Sequence, residues 1–163
     1  MNTASAAARP TPARHRRNDF DVTNTVQVSS TAAVTRAVGE LFAGQWPAAG
    51  FAPLERALAT FDALFTGRLP GYRGVDTVYH DRQHTLDVVL AMARILVGYE
   101  RSVPAAERLG FERAAMGLVT AVFHDAGYVR ETGDTLRNGA AYTSSHVSRS
   151  ARFLTRFMPT IGM

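Results

Sequence analysis

Residues 78–99 read VYHDRQHTLDVVLAMARILVGY. Within this stretch Val88, Val89, Leu90, Met92, Ile95, Leu96 and Val97 crowd apolar side chains more densely than a surface helix carries. The run is too long for a strand and holds no proline, so it predicts one long helix over about 78–99, buried at the centre of the fold. A loop precedes it: residues 67–76 contain Gly67, Pro70, Gly71 and Gly74, which punctuate rather than propagate a helix.

The flanking segments repeat the helical pattern. Ser29, Ser30 and Thr31 offer N-caps ahead of Val34, Val38, Leu41 and Phe42, an i, i+4, i+7, i+8 stripe that Trp46-Pro47 and Gly50 close. Pro53 suits a first helical turn, and Leu54, Leu58, Phe61, Leu64 and Phe65 follow at helical spacing up to Gly67. Downstream, Pro104 opens a helix to about His124 through Met116, Leu118, Val119, Val122 and Phe123. After a looser region over 127–141, a last helix is expected over about 142–158, stopped by Pro159. No strand pattern competes and no internal repeat is visible. The expectation is an all-α bundle over 29–163, preceded by an Arg-, Ala- and Pro-rich leader over 1–28 with no apolar periodicity, read as disordered.

The chain has 163 residues, enough for one domain with a core, and no cysteine. Disulfides and thiolate metal sites are therefore excluded, and any metal must be held by nitrogen and oxygen. All eighteen basic residues are arginine, and the net charge is +4. With the abundant alanine, this fits the coding bias of a GC-rich bacterial genome. Arg9, Arg14, Arg16 and Arg17 precede the first acid, Asp19, so the basic excess belongs to the leader and says little about a site. The leader resembles a transit peptide in composition, but a plain solvated leader is the favoured reading. No apolar run is long enough to span a membrane, and no basic-then-apolar secretory signal is present. The expectation is a cytoplasmic protein without a membrane partner. An Arg-rich tail permits loose nucleic-acid contact, but no groove-reading motif accompanies it.

The candidate chemistry lies in four histidines and an aspartate. On a helix His80 and His84 would be i and i+4, on one face. His124 and Asp125 end a strongly apolar run, 117–123, where ionisable groups are costly unless they pair or bind a metal. Imidazole nitrogen with carboxylate oxygen suits a divalent ion: Mn, Mg, Zn, Fe or Co.

The stretch Tyr79-His80-Asp81-Arg82-Gln83-His84-Thr85-Leu86-Asp87-Val88 resembles the Tyr-His-Asn-x-x-His-Ala-x-Asp-Val motif of class I cyclic nucleotide phosphodiesterases. Val119-Thr120-Ala121-Val122-Phe123-His124-Asp125-Ala126-Gly127 resembles the apolar run and His-Asp of the wider HD superfamily of metal-dependent phosphohydrolases. The resemblance covers roughly residues 75–155 and rests on the two motifs together. It implies an HD-domain helical bundle with His84, His124 and Asp125 as ligands of the principal metal and His80 as the general acid on the leaving oxygen. It further implies hydrolysis of a phosphodiester or phosphomonoester of a small phosphorylated substrate, with a nucleotide favoured, by a metal-bound hydroxide. Asp87 would orient a ligand ring from behind or be a solvated helix-face carboxylate. His146 would be a further ligand or an ordinary helix histidine. Arg149 is a candidate phosphate contact, with Arg130 and Arg137 looser candidates of the same kind.

The sequence departs from the family pattern in three places. Asp81 stands at the motif's Asn, Tyr128 stands where a further histidine is expected, and no Asp or Glu follows Asp134. HD proteins complete the first metal shell with a downstream aspartate, so the bundle is expected to be C-terminally incomplete in this respect. The same scaffold also serves di-iron oxygenases and non-catalytic domains that bind a nucleotide or a partner protein; these remain the alternative functions.

Overall fold

A computed structural model describes residues 18–163. Among them the chain is all-α: α1 (Thr31–Gln45), α2 (Ala52–Phe65), α3 (Arg82–Ser102), α4 (Gly110–Phe123) and α5 (His146–Phe157). Short 3₁₀ turns lie at Ala105–Glu107, Ala126–Tyr128, Gly139–Tyr142 and Met158–Ile161. Among the described residues extended pairing is limited to two isolated bridges, Phe20–Gln27 and Tyr72–Glu131. None of the described helices is long and apolar enough to cross a membrane.

α3 is the central helix, packed mainly on α4 and α1. It buries Leu86, Val89, Leu90, Ala93, Leu96 and Val97 but leaves Ile95 64 % exposed, so one face of the dense apolar run meets solvent. The expected start at about residue 78 is corrected to Arg82. Asp81 is extended (φ −92°, ψ −179°) and its side chain accepts the His84 amide at 2.7 Å, an N-cap that ends the helix there. Arg82 anchors this end, donating to Asp62 Oδ1 on α2 at 3.0 Å and to the Ser29 carbonyl at 3.2 Å. The other end of α3 carries buried Glu100. Its carboxylate accepts the amides of Leu109 (2.9 Å) and Gly110 (3.2 Å), supplying the cap that α4 lacks locally. The start of α4 thus meets the end of α3, and the two helices are antiparallel.

The other boundaries shift for local reasons. The helix expected from Pro104 begins at Gly110, after the 3₁₀ turn Ala105–Glu107. The last helix begins at His146 rather than about residue 142 and ends at Phe157, with Pro159 inside the following 3₁₀ turn. Its Phe153 and Phe157 pack on Phe123 of α4, with ring centroids 5.0 and 4.7 Å apart.

The expectation of a disordered leader does not hold over residues 18–28. Residues 1–17 lie outside the described residues, but 18–28 fold against the bundle, with Val28 buried. Asp21, only 7 % exposed, organises this turn. Its carboxylate accepts Thr23 Oγ1 (2.6 Å) and the amides of Thr25 (2.9 Å) and Val26 (2.8 Å), and it pairs with Arg94 of α3 at 2.8 Å. The Thr23 hydroxyl, then the Val26 amide, Arg94 and the Thr25 amide, hold its carboxyl well below the usual carboxylate range, against the opposing effect of burial. A carboxyl depressed in the folded state stabilises above its unfolded value, about pH 4, and that contribution is lost as pH falls further. Asp21→Asn is therefore expected to cost about 1–3 kcal/mol at pH 7 and to flatten the acid limb of stability, as read by urea denaturation between pH 7 and pH 3.

Candidate metal centre

His84 sits in the first turn of α3, and His124 and Asp125 directly follow the last residue of α4. The antiparallel packing brings them together. One ligand atom from each of His84, His124 and Asp125 lies within 4.8 Å of the others. The His84 and His124 Nε2 atoms are 3.5 and 3.1 Å from Asp125 Oδ2, and the two ring centroids are 5.6 Å apart. Of the residues singled out in the sequence, the structure joins these three; His80, His146 and Asp87 stand outside the group.

Two features fit a cation here. Asp125 is 3 % exposed, and its Oδ2 is buried with no hydrogen bond. His124 Nε2 lies 3.1 Å from this oxygen without forming a hydrogen bond to it. A buried carboxylate oxygen left in this way is expensive unless something positive completes it. The second feature is the tautomer. His124 Nδ1 lies 2.7 Å from the Ala121 carbonyl, an acceptor only, so Nδ1 carries the proton and neutral His124 has its Nε2 lone pair turned to the cluster.

The charges of the cluster support one another. Burial alone would lower the His124 imidazole's affinity for a proton, but the Asp125 carboxylate and the Ala121 carbonyl outweigh it and raise its pKa. Burial likewise pushes the Asp125 carboxyl up, and the imidazoles of His124, His80 and His84 overcome it to hold the group below its ordinary value.

His80 is not on the α3 face shared with His84, as expected from the spacing; it lies in the bend before the Asp81 cap. It still reaches the site, because the bend folds the ring back to 5.7 Å from His84, edge to face. Tyr128, at the position expected to hold histidine, is buried and stacks on His80 (4.3 Å, 18°) and on His146 (4.4 Å, 15°). His146 Nδ1 meets the Thr143 carbonyl at 2.8 Å. Asp87 lies on α3, half-buried and outside the ligand group.

Two of the three arginine candidates are engaged by neighbouring groups. Arg149 donates through Nε to the Gly127 carbonyl (2.7 Å) and through Nη2 to the Val129 carbonyl (3.0 Å), and its guanidinium lies 3.5 Å over the Tyr142 ring. That edge of the fork is spent on backbone, so Arg149 is a brace for the 126–129 turn. Arg130 is likewise engaged, by Asp76 (2.6 Å) and by the Leu136 carbonyl (2.5 Å). Arg137 is exposed.

Sequence reasoning missed Gly127 and Ser150. Ser150 Oγ donates to the His124 carbonyl (2.7 Å) and accepts the Gly127 amide (2.8 Å), closing the two polar groups that the end of α4 leaves open. A Cβ at Gly127 would lie 2.0 Å from the His146 carbonyl oxygen, so only glycine lets α5 approach this turn. The Gly after His-Asp was the available signal, and without the packing partner it had no meaning. Comparison with family models, with curated proteins and with solved structures gives no match.

Gly127→Ala is expected to destabilise the chain by about 2 kcal/mol or more, because backbone must move to relieve the overlap. It should also weaken divalent-metal binding, since the displaced turn adjoins Asp125. Gly133→Ala, where an added Cβ meets nothing within 4 Å, is the matched control and should be near neutral in thermal melts and metal titration.

Proposed function

We propose that this chain is a metal-dependent phosphohydrolase of the HD type, hydrolysing a phosphodiester or phosphomonoester of a small molecule, a nucleotide being the favoured substrate. The observation that carries the reading is the convergence of His84 and His124 on Asp125, whose buried Oδ2 lacks a hydrogen bond. It is supported by the order in which these residues occur in motifs resembling those of HD phosphohydrolases. The all-nitrogen-and-oxygen donor set suits a divalent first-row ion or magnesium.

A divalent ion held by His84, His124 and Asp125 would supply an activated water nucleophile and polarise a phosphoryl oxygen. The protein's own contributions follow from its geometry. The Ala121 carbonyl keeps the His124 proton on Nδ1 and so presents Nε2 as a donor. The Asp81 cap fixes the His84 backbone at the first turn of α3. His80, one ring away from His84 and braced against the Tyr128 ring, is assigned to protonate the leaving oxygen. Buried Tyr128 restricts the imidazole to a narrow set of orientations, which favours transfer to one atom rather than to bulk water.

The test is metal analysis of the chain purified without chelator, beside His124→Ala/Asp125→Ala and His80→Ala. The parent and His80→Ala are expected to carry stoichiometric metal that the double variant loses. Against phosphodiester and phosphomonoester substrates, His80→Ala should lower kcat by about 10²- to 10⁴-fold with metal content unchanged. A helical parent that binds no divalent ion overturns the enzyme reading in favour of a binding module. Iron with an oxygen-sensitive spectrum and no hydrolysis points to the oxygenase alternative.

A further inference from the structure

From Thr135 to Met163 the chain carries four arginines and no acid. Three of them, Arg149, Arg152 and Arg156, stand at i, i+3 and i+7 on α5 and so share one stripe of the helix. They line one side of a recess between α5 and the Ala126–Tyr128 turn, with Tyr72 and Phe153 on its apolar side. The recess has a volume of about 50 Å³, suited to a single tetrahedral oxyanion and too small for a nucleoside. None of the metal-centre residues lines it. Among the described residues no ion pair engages Arg152 or Arg156, and Arg149 spends Nε and Nη2 on carbonyls, leaving Nη1. One carboxylate, Glu131, borders the recess without pairing with any of the three.

Like charges at i, i+4 on a helix repel, and neutralising acids are the ordinary remedy. Here the charges line a recess and the one carboxylate beside them, Glu131, forms no ion pair with the stripe. We infer that the α5 arginine stripe is a second binding site, for the phosphoryl group of a small ligand or for free phosphate, behind the metal centre rather than in it. Arg152 and Arg156 supply most of the recognition, since the guanidinium fork matches tetrahedral oxygens. Arg149 adds its remaining nitrogen, and through its bonds to the Gly127 and Val129 carbonyls it links the site to the turn that follows Asp125. Glu131 opposes the anion and sets its affinity.

The experiment is a titration of the full chain with inorganic phosphate and with glycerol phosphate, followed by amide chemical shifts and calorimetry. Saturable shifts are expected across residues 127–131 and 149–156. Arg152→Ala/Arg156→Ala should weaken binding at least tenfold with helicity and melting unchanged, and Glu131→Gln should tighten it. Glycerol phosphate binding more tightly than phosphate assigns the source to a phosphorylated molecule, and the reverse to the free ion. Shifts confined to His84, His124 and Asp125, or no saturation, overturn the site. So does binding only to oligonucleotides, in proportion to their length, since that marks a non-specific basic face. The site does not depend on the metal centre: failure of metal binding in the preceding test leaves the 149–156 shifts in place.

Discussion

The structure depends on the antiparallel contact between α3 and α4. Glu100, buried near the end of α3, caps the amides of Leu109 and Gly110 and so sets where α4 begins against its neighbour. Once that end is locked, apolar burial along both helices carries the pairing to the opposite end, where the first turn of α3 meets the last residue of α4. His84 and His124 come together there because each lies beyond the apolar part of its own helix. A buried carboxylate thus works at each end of the same helix pair: at one it is satisfied by amides, at the other Asp125 Oδ2 is not. That contrast separates a structural acid from a candidate ligand.

The second constraint is the seating of α5. Ser150 is its buried residue, Phe153, Leu154 and Phe157 are half-buried against the core, and three of its residues reach the turn after Asp125. Gly127 permits the approach, Ser150 satisfies the polar groups left by the end of α4, and Arg149 braces the carbonyls beyond. The ring series His124, His84, His80, Tyr128 and His146 then runs continuously across the face of the site. Packing of this kind limits the rotation of the rings around the candidate cluster. The same helix turns its arginine stripe toward the recess on the other side of the turn, so events at the two faces share one short piece of backbone.

Much of this was legible in the sequence for local reasons. Helical periodicity placed all five helices, and the grouping of His84 with His124-Asp125 was implied by the resemblance of two stretches to known motifs. The errors have local causes as well. Asp81 is a better helix cap than a helix residue, which moved the start of α3 and took His80 off the shared face. Asp21, in a segment without apolar periodicity, gathers enough hydrogen bonds to order residues that composition assigned to a disordered leader.

By itself, the sequence determined the all-α class and the core stripes, because periodicity acts over a few turns; the three candidate ligands were implied by resemblance to known motifs. Tertiary structure alone decided that those ligands share one point in space, that Tyr128 joins His80 to His146, and that Arg149 braces the backbone after Asp125. These are contacts between residues distant in the chain. Their geometry is set by helix packing and by the close approach that Gly127 allows, and no local pattern encodes either one.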